Sequence, residues 1–153
     1  MSRDTKIVAA FLSAIPVVIL SASSICAWAI SAGASMRWRV LFRLLCHGIE
    51  RRCLTMFGVP MPICARCTGI YIGLFAGIVA FAVYPLLEER VLRFAMYAAA
   101  LPMAIDGLTQ AARLRESTNP LRLATGFAAA FVFGAWALSA IEQYHRPRAV
   151  NPS

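Results

Sequence analysis

Four long stretches of the chain carry almost no charge, and they constrain the fold more than any other feature. Residues 7–36, 67–87 and 123–141 contain no charged side chain, and residues 94–112 contain only Asp106. Each stretch is close to the ~20 apolar residues that a helix needs to cross the hydrocarbon core of a bilayer. Because a backbone in lipid must satisfy its own hydrogen bonds, such segments form helices. The sequence therefore predicts an all-α, polytopic membrane protein.

The chain is also far more apolar than an average soluble domain, since 60% of its residues are hydrophobic and 14% are charged. We predict one membrane-embedded domain over residues 1–153. Its four transmembrane helices are expected at approximately 7–33, 67–87, 91–112 and 121–142.

The first apolar stretch resembles a signal peptide in one respect, because small residues around Gly33 would suit cleavage after residue 34. Its apolar run is longer than the about 7–15 residues of a signal sequence, however. We expect residues 1–34 to remain as an anchor, with cleavage as the alternative.

A short basic segment, Arg37–Leu45, follows the first span and is too short to cross the membrane. On an α-helical wheel Arg39 and Arg43 fall on one side together with Glu50. The apolar side is expected to contain Trp38, Leu41, Phe42 and Leu45. This pattern predicts a short interfacial helix, which lies on the bilayer and leads into a Cys/His loop at residues 44–67.

The net charge of +8 is better explained by membrane orientation than by nucleic acid, because the basic residues flank the apolar stretches. Nine of the 15 Lys and Arg residues lie between Arg37 and Arg66 or between Arg113 and Arg122. The positive-inside rule then places the Cys/His loop in the cytoplasm and both termini outside. We expect a cytoplasmic membrane, the lipid bilayer as a partner, and no nucleic-acid partner.

The Cys/His loop holds the strongest chemical signal in the chain. Cys64 and Cys67 form a Cys-x-x-Cys pair, and Cys46-His47 precedes it. Two such donor pairs typify a tetrahedral zinc site, and clustered thiols in a reducing compartment more often bind metal than form disulfides. We predict that Cys46, His47, Cys64 and Cys67 bind zinc or another soft or borderline divalent metal. The alternative from the residues alone is that these are buried apolar thiols.

Polar residues in the spans form a second group. Asp106 is costly within a membrane helix, and such an acid normally has a partner or a task. The predicted topology brings the ends of three spans to the face that carries the Cys/His loop. We therefore expect one polar cavity, with the members Arg66, Asp106, Gln110, Arg113, Asn119 and Arg122.

The second span carries Gly69, Gly73 and Gly77, which lie on one helix face. Small residues at this spacing let another helix approach closely. We expect this face to pack within the bundle.

Two sequence blocks resemble a prokaryotic family of predicted membrane proteins that is known only as a domain of unknown function. The first block comprises Cys46-His47-Gly48 and the run Gly58–Tyr71, which contains Cys-Ala-Arg-Cys-Thr-Gly. The second comprises Asp106-Gly107-x-x-Gln110 and Ser117–Gly126. The resemblance implies a membrane protein but no activity. Its members tend to have Ser at the Cys53 position, which argues against Cys53 as a ligand.

Three classes of function fit these features. The leading hypothesis is a membrane protein with a Cys/His metal site, either structural or used for metal handling or transport. A membrane thiol-disulfide oxidoreductase would use Cys64 and Cys67 as its catalytic pair. A non-enzymatic assembly or lipid-binding factor would rely on Arg39 and Arg43 instead.

Overall fold

The protein is described by a computed structural model over residues 3–84 and 88–145. Each of its four long helices has the length and composition to cross a membrane. The helices are α1 (Arg3–Ser31), α2 (Ala65–Val83), α3 (Glu89–Ala111) and α4 (Asn119–His145). This confirms the predicted all-α, polytopic architecture, with helix ends that differ from prediction by a few residues. The predicted end of the second span, residues 85–87, lies outside the described part of the chain.

The predicted interfacial helix is present at Met36–Leu44, but it is a 3₁₀ helix rather than an α-helix. With three residues per turn, side chains three apart eclipse one another. Trp38, Leu41 and Leu44 therefore form one row, and they are 58%, 65% and 96% exposed. An exposed apolar row of this kind is suited to the interfacial zone of a bilayer.

The same geometry changes the apolar face that the α-helical wheel predicted. Phe42, expected beside Trp38 on the lipid side, is buried because it aligns with Arg39. Arg39 also turns inward, pairs with Glu50, and donates to the carbonyl of Met61 at 3.2 Å. Arg39, Arg43 and Glu50 line one cavity, as the wheel predicted. The expectation of a lipid-facing Phe42 was wrong, because it assumed 3.6 residues per turn instead of three.

The Cys/His loop contains a β-hairpin that sequence analysis did not predict. Strand β1 (Cys53–Met56) pairs antiparallel with β2 (Val59–Cys64), and Cys53 lies opposite Cys64. The two residues between the strands, Phe57 and Gly58, both have positive φ, 54° and 77°. Such a pair forms the tight turn whose twist matches antiparallel strands. The hairpin then continues directly into α2.

Helices α2 and α4 pack with their backbones in close contact. A Cβ atom at Gly69, Gly73 or Gly77 would lie 2.2, 2.3 or 1.9 Å from a carbonyl oxygen of α4. In return, a Cβ at Gly126 would lie 2.5 Å from the Arg66 carbonyl oxygen. The prediction that this glycine face packs within the bundle is confirmed.

Two buried apolar clusters stabilise opposite ends of the molecule. One, around Ile78, Phe81 and Leu138, joins α2 to α4 and to the start of α3. The other joins the loop to α1 and consists of Ala27, Phe42, Cys46, Met61 and Ile63. The loop is therefore packed against the bundle, so the side chains at its base have fixed neighbours.

Candidate metal centre

The two paired cysteines lie where strand β2 becomes helix α2. Cys64 is the N-cap residue, with an extended backbone (φ −73°, ψ 160°), and Cys67 lies in the first turn. Cys46 follows the 3₁₀ helix and is buried in the cluster between the loop and α1. Side chains three residues apart in a helical turn lie on the same side. The change from strand to helix therefore directs both paired thiols toward Cys46.

The three thiols form one compact group. The sulfur atoms of Cys46, Cys64 and Cys67 all lie within 4.8 Å of one another. Tetrahedral zinc with Zn–S bonds of about 2.3 Å would separate its sulfurs by about 3.8 Å. Three thiols converge here from segments that are 18 residues apart in the chain. This cysteine cluster could hold a metal ion.

The surroundings of Cys46 favour its thiolate form. Hydrogen bonds from the thiols of Cys64 and Cys67 lower the pKa of Cys46 well below its usual range. The backbone N–H groups of Gly48 and Cys64 add to this effect, the second at 3.2 Å from the sulfur. Hydrogen bonds to a charged form favour that form. Thiolate is the form that binds metal, so the local backbone suits the cluster to coordination.

Cys53 is close to this cluster but is not a member of it. Its thiol donates to the carbonyl of Ile49 at 3.2 Å, and burial raises its pKa to about 11. A buried neutral thiol of this kind acts as a small apolar side chain. This placement agrees with the earlier argument against Cys53 as a ligand.

His47 is exposed and lies outside the group of three mutually close ligand atoms. Its side chain lines a cavity of about 190 Å³ that Cys64 also lines. Of these two adjacent residues, Cys46 belongs to the three-thiol group and His47 does not. Its role as a fourth ligand stays a prediction.

Asp106 is the centre of a polar network beneath the cluster. It is 2% exposed and forms ion pairs with Arg66 from α2 and with Arg115 from the α3–α4 connection, the second at 3.0 Å. The Gln110 amide donates to the same carboxylate at 2.8 Å. A buried carboxylate must be paired to be tolerated, and these contacts satisfy both of its oxygens. The acid therefore joins α2, α3 and the following loop.

The network continues from α3 through α4 to the hairpin. The Gln110 side-chain oxygen accepts from Arg122 Nε and Nη2, at 3.2 and 3.0 Å. Arg122 also donates to Asn119 at 3.0 Å, and Asn119 donates to the Cys53 carbonyl at 3.1 Å. The structure thus brings together five of the six residues that were predicted to share a polar cavity.

The sixth, Arg113, is exposed and is not among the residues that line the two cavities beside this network. It has a left-handed backbone (φ 55°), and the Leu114 N–H returns to the Thr109 carbonyl at 2.9 Å. These features are those of a helix C-terminal cap, which turns the chain away from the α3 axis. Arg115, two residues later, reaches Asp106 in its place. No local pattern distinguishes the two arginines.

Sequence analysis also missed Arg52, which lines the same cavity as Cys64, Arg66 and Arg122. Its place beside Cys53 was visible, but its direction depends on the unpredicted hairpin. The cavity is thus lined by three guanidinium groups and one of the clustered thiols.

Comparisons with known proteins add a family but no activity. A family model described as "Predicted membrane protein (DUF2085)" matches residues 46–136. An uncharacterized protein of Methanocaldococcus jannaschii is 40% identical over 93 residues, which are 60% of this chain and 60% of that protein. An uncharacterized protein of Methanothermobacter thermautotrophicus is 36% identical over 88 residues, which are 58% of this chain and 79% of that protein. The chain spans about 60% of the length of the first relative. No solved structure matches the chain significantly.

Proposed function

The chain belongs to this family of predicted membrane proteins, and from that premise we propose that it binds a zinc-class metal ion at the face of the helix bundle. The ligands are Cys46, Cys64 and Cys67. The observation that carries the proposal is the convergence of the three sulfur atoms within 4.8 Å. Thiolates select soft and borderline ions such as zinc over magnesium or calcium.

His47 is proposed as the fourth ligand. Structural zinc sites have four protein ligands, and a Cys₃His set is one of their common forms. What supports this residue is its position at the cavity that Cys64 lines. Because it lies outside the three-thiol group, we expect its loss to weaken metal binding without abolishing it.

A structural centre is favoured over a transport path for metal ions. The side chains beneath the thiols are cationic, because Arg52, Arg66 and Arg122 line the adjoining cavity. Buried Asp106 is already engaged by two arginines. A divalent cation that moved inward from the thiols would meet uncompensated positive charge at low dielectric constant. The bound ion would instead fix the loop, the hairpin and the start of α2 together.

The metal site is proposed to face a reducing cytoplasm in a prokaryotic cell membrane. The support is the excess of Lys and Arg on the loop side of the spans. In that compartment the thiols would stay reduced and available to a metal.

Metal analysis of the full chain tests the proposal. The protein is purified in detergent with a reductant, supplied with zinc, desalted, and analysed for bound metal per chain. We expect one equivalent in the wild type, little in Cys46→Ser, Cys64→Ser or Cys67→Ser, and a reduced affinity in His47→Ala. Cys53→Ser is the matched control, because it removes a buried thiol that lies outside the cluster.

Two results would contradict the metal centre: wild-type protein without bound metal under these conditions, or unchanged metal content in Cys64→Ser. The oxidoreductase alternative predicts a different pattern. There, alkylation of Cys64 and Cys67 would depend on the redox buffer, while a zinc chelator would leave their reactivity unchanged. Circular dichroism of every variant shows whether the helices have formed.

A further inference from the structure

The cavity beside the thiol cluster has a composition suited to an anion. It measures about 190 Å³, and its lining includes three arginines together with Gln110. We propose that this cavity binds a phosphate group, held by the guanidinium groups of Arg52, Arg66 and Arg122. Arginine is the side chain best matched to phosphate oxygens, because its planar fork donates two parallel hydrogen bonds.

The charges around the cavity are not balanced by the protein. Of the described residues, only Asp106 supplies a carboxylate to Arg66 and Arg115, and it is shared between them. Arg122 has only neutral amide acceptors, and Arg52 has no ion pair in the described part of the chain. A centre of three thiolates and a divalent ion carries one negative charge. Even with that centre filled, two positive charges remain, and a phosphate monoester at neutral pH carries about −1.5 to −2.

Two of these arginines also have unused hydrogen-bond donors. The Nε atoms of Arg52 and Arg66 are buried and have no partner. A buried donor without an acceptor costs about 1–3 kcal/mol, so native proteins rarely leave one unused. Both residues line the same cavity. An oxyanion in that cavity would bring an acceptor to two guanidinium groups that each lack one at Nε.

Two of the three arginines are held in place before any ligand arrives. Asp106 fixes one end of the Arg66 guanidinium, and Gln110 and Asn119 fix Arg122. Fixed donors lose little entropy on binding, which raises affinity. The N-terminus of α2 begins beside the same cavity at Cys64 and adds a partial positive charge.

The ligand chemistry is a phosphate group, and two sources can supply it. One is free phosphate or a soluble phosphate monoester, and the other is the headgroup of an anionic lipid. The cavity lies at the end of the bundle where the exposed row of Trp38, Leu41 and Leu44 is proposed to meet the bilayer surface. The inference does not rest on the metal, because two positive charges also remain when the empty cluster carries a single thiolate.

Thermal unfolding of the full chain in phosphatidylcholine nanodiscs tests the inference. Inorganic phosphate is titrated at constant ionic strength, with chloride and acetate as matched anions, and in a second arm part of the lipid is replaced by phosphatidic acid. The test variant is Arg52→Gln, which removes a guanidinium that has no ion pair among the described residues. The control is Arg51→Gln, whose exposed side chain pairs with exposed Glu116 and does not line this cavity.

We expect a saturable rise in Tm for the wild type and for Arg51→Gln, with the apparent Kd weakened about tenfold or more in Arg52→Gln. A response to free phosphate identifies a soluble ligand, and a response to phosphatidic acid alone identifies a headgroup. No response in either arm, an equal response to acetate, or an equal response in Arg52→Gln would overturn the inference. Metal content is measured on the same samples. Failure of phosphate binding with metal retained counts against this inference only.

Discussion

Substitution of a single glycine in the α2–α4 contact provides a sharp test of the architecture. In Gly73→Ala the new Cβ would lie 2.3 Å from the Phe127 carbonyl oxygen and 3.0 Å from its Cα. Ordinary van der Waals contact begins at 3.4 Å, so the two helices must separate by about 1 Å. The obstructing atoms are backbone, and no side-chain rotation can relieve the contact.

The expected cost follows from this geometry. Overpacking of a well-packed interface costs about 1–3 kcal/mol. Replacing glycine by alanine within a helix returns up to about 1 kcal/mol through higher helix propensity. We therefore expect Gly73→Ala to lower the free energy of unfolding by about 1–2 kcal/mol, because the packing term exceeds the propensity term.

Gly107→Ala is the matched control in α3. Its new Cβ would meet only the end of the Arg66 side chain, at 3.8 Å, which is an ordinary contact. We expect stabilisation of about 0.5–1 kcal/mol from helix propensity alone. Unfolding by sodium dodecyl sulfate in mixed micelles, followed by tryptophan fluorescence, measures both variants. If Gly73→Ala is as stable as Gly107→Ala, the helices do not pack through this glycine face.

Two further predictions concern the buried acid and the isolated thiol. Asp106→Asn should lower the free energy of unfolding by about 3 kcal/mol, because it leaves half-buried Arg66 without its counter-ion. Glu116→Gln, at an exposed pair, should change it by at most about 1 kcal/mol. The same unfolding assay measures both variants, and equal effects would refute the importance of the Asp106 pair. The raised pKa of Cys53 predicts that metal-free protein loses stability between pH 9 and pH 11, since the unfolded thiol ionises at its usual pKa of 9.0 and the folded one only near 11. The loss should approach about 2–3 kcal/mol and should be smaller in Cys53→Ala, so identical pH profiles for the two proteins would contradict it.

The sequence was sufficient to predict four helices that have the length and composition of membrane spans. Long uncharged stretches determine helices in lipid because no water is available to bond to an irregular backbone. Local spacing also identified the cysteine pair, because thiols at residues 64 and 67 lie on one side of a helical turn in any surroundings. It also identified Asp106 as a residue that requires a partner.

The sequence was not sufficient to define the loop between α1 and α2. The α-helical wheel placed Phe42 on the lipid side, but three residues per turn bury it beside Arg39. The hairpin escaped notice because its turn uses Phe57 in a positive-φ conformation, a position that Asn or Asp usually occupies. Local propensity did not reveal either feature, because packing against α1 outweighs it.

Tertiary structure alone decided which of the predicted site residues meet. The third thiol of the cluster comes from a segment 18 residues away, and Arg115 rather than Arg113 reaches Asp106 because a helix cap redirects the chain. The unpaired Nε atoms of Arg52 and Arg66 became visible only with the fold in place. The physical reason is that spacing along a chain encodes the direction of a side chain within one helix or strand. The rotation and separation of neighbouring elements depend on contacts between distant segments, here the close approach of α2 to α4.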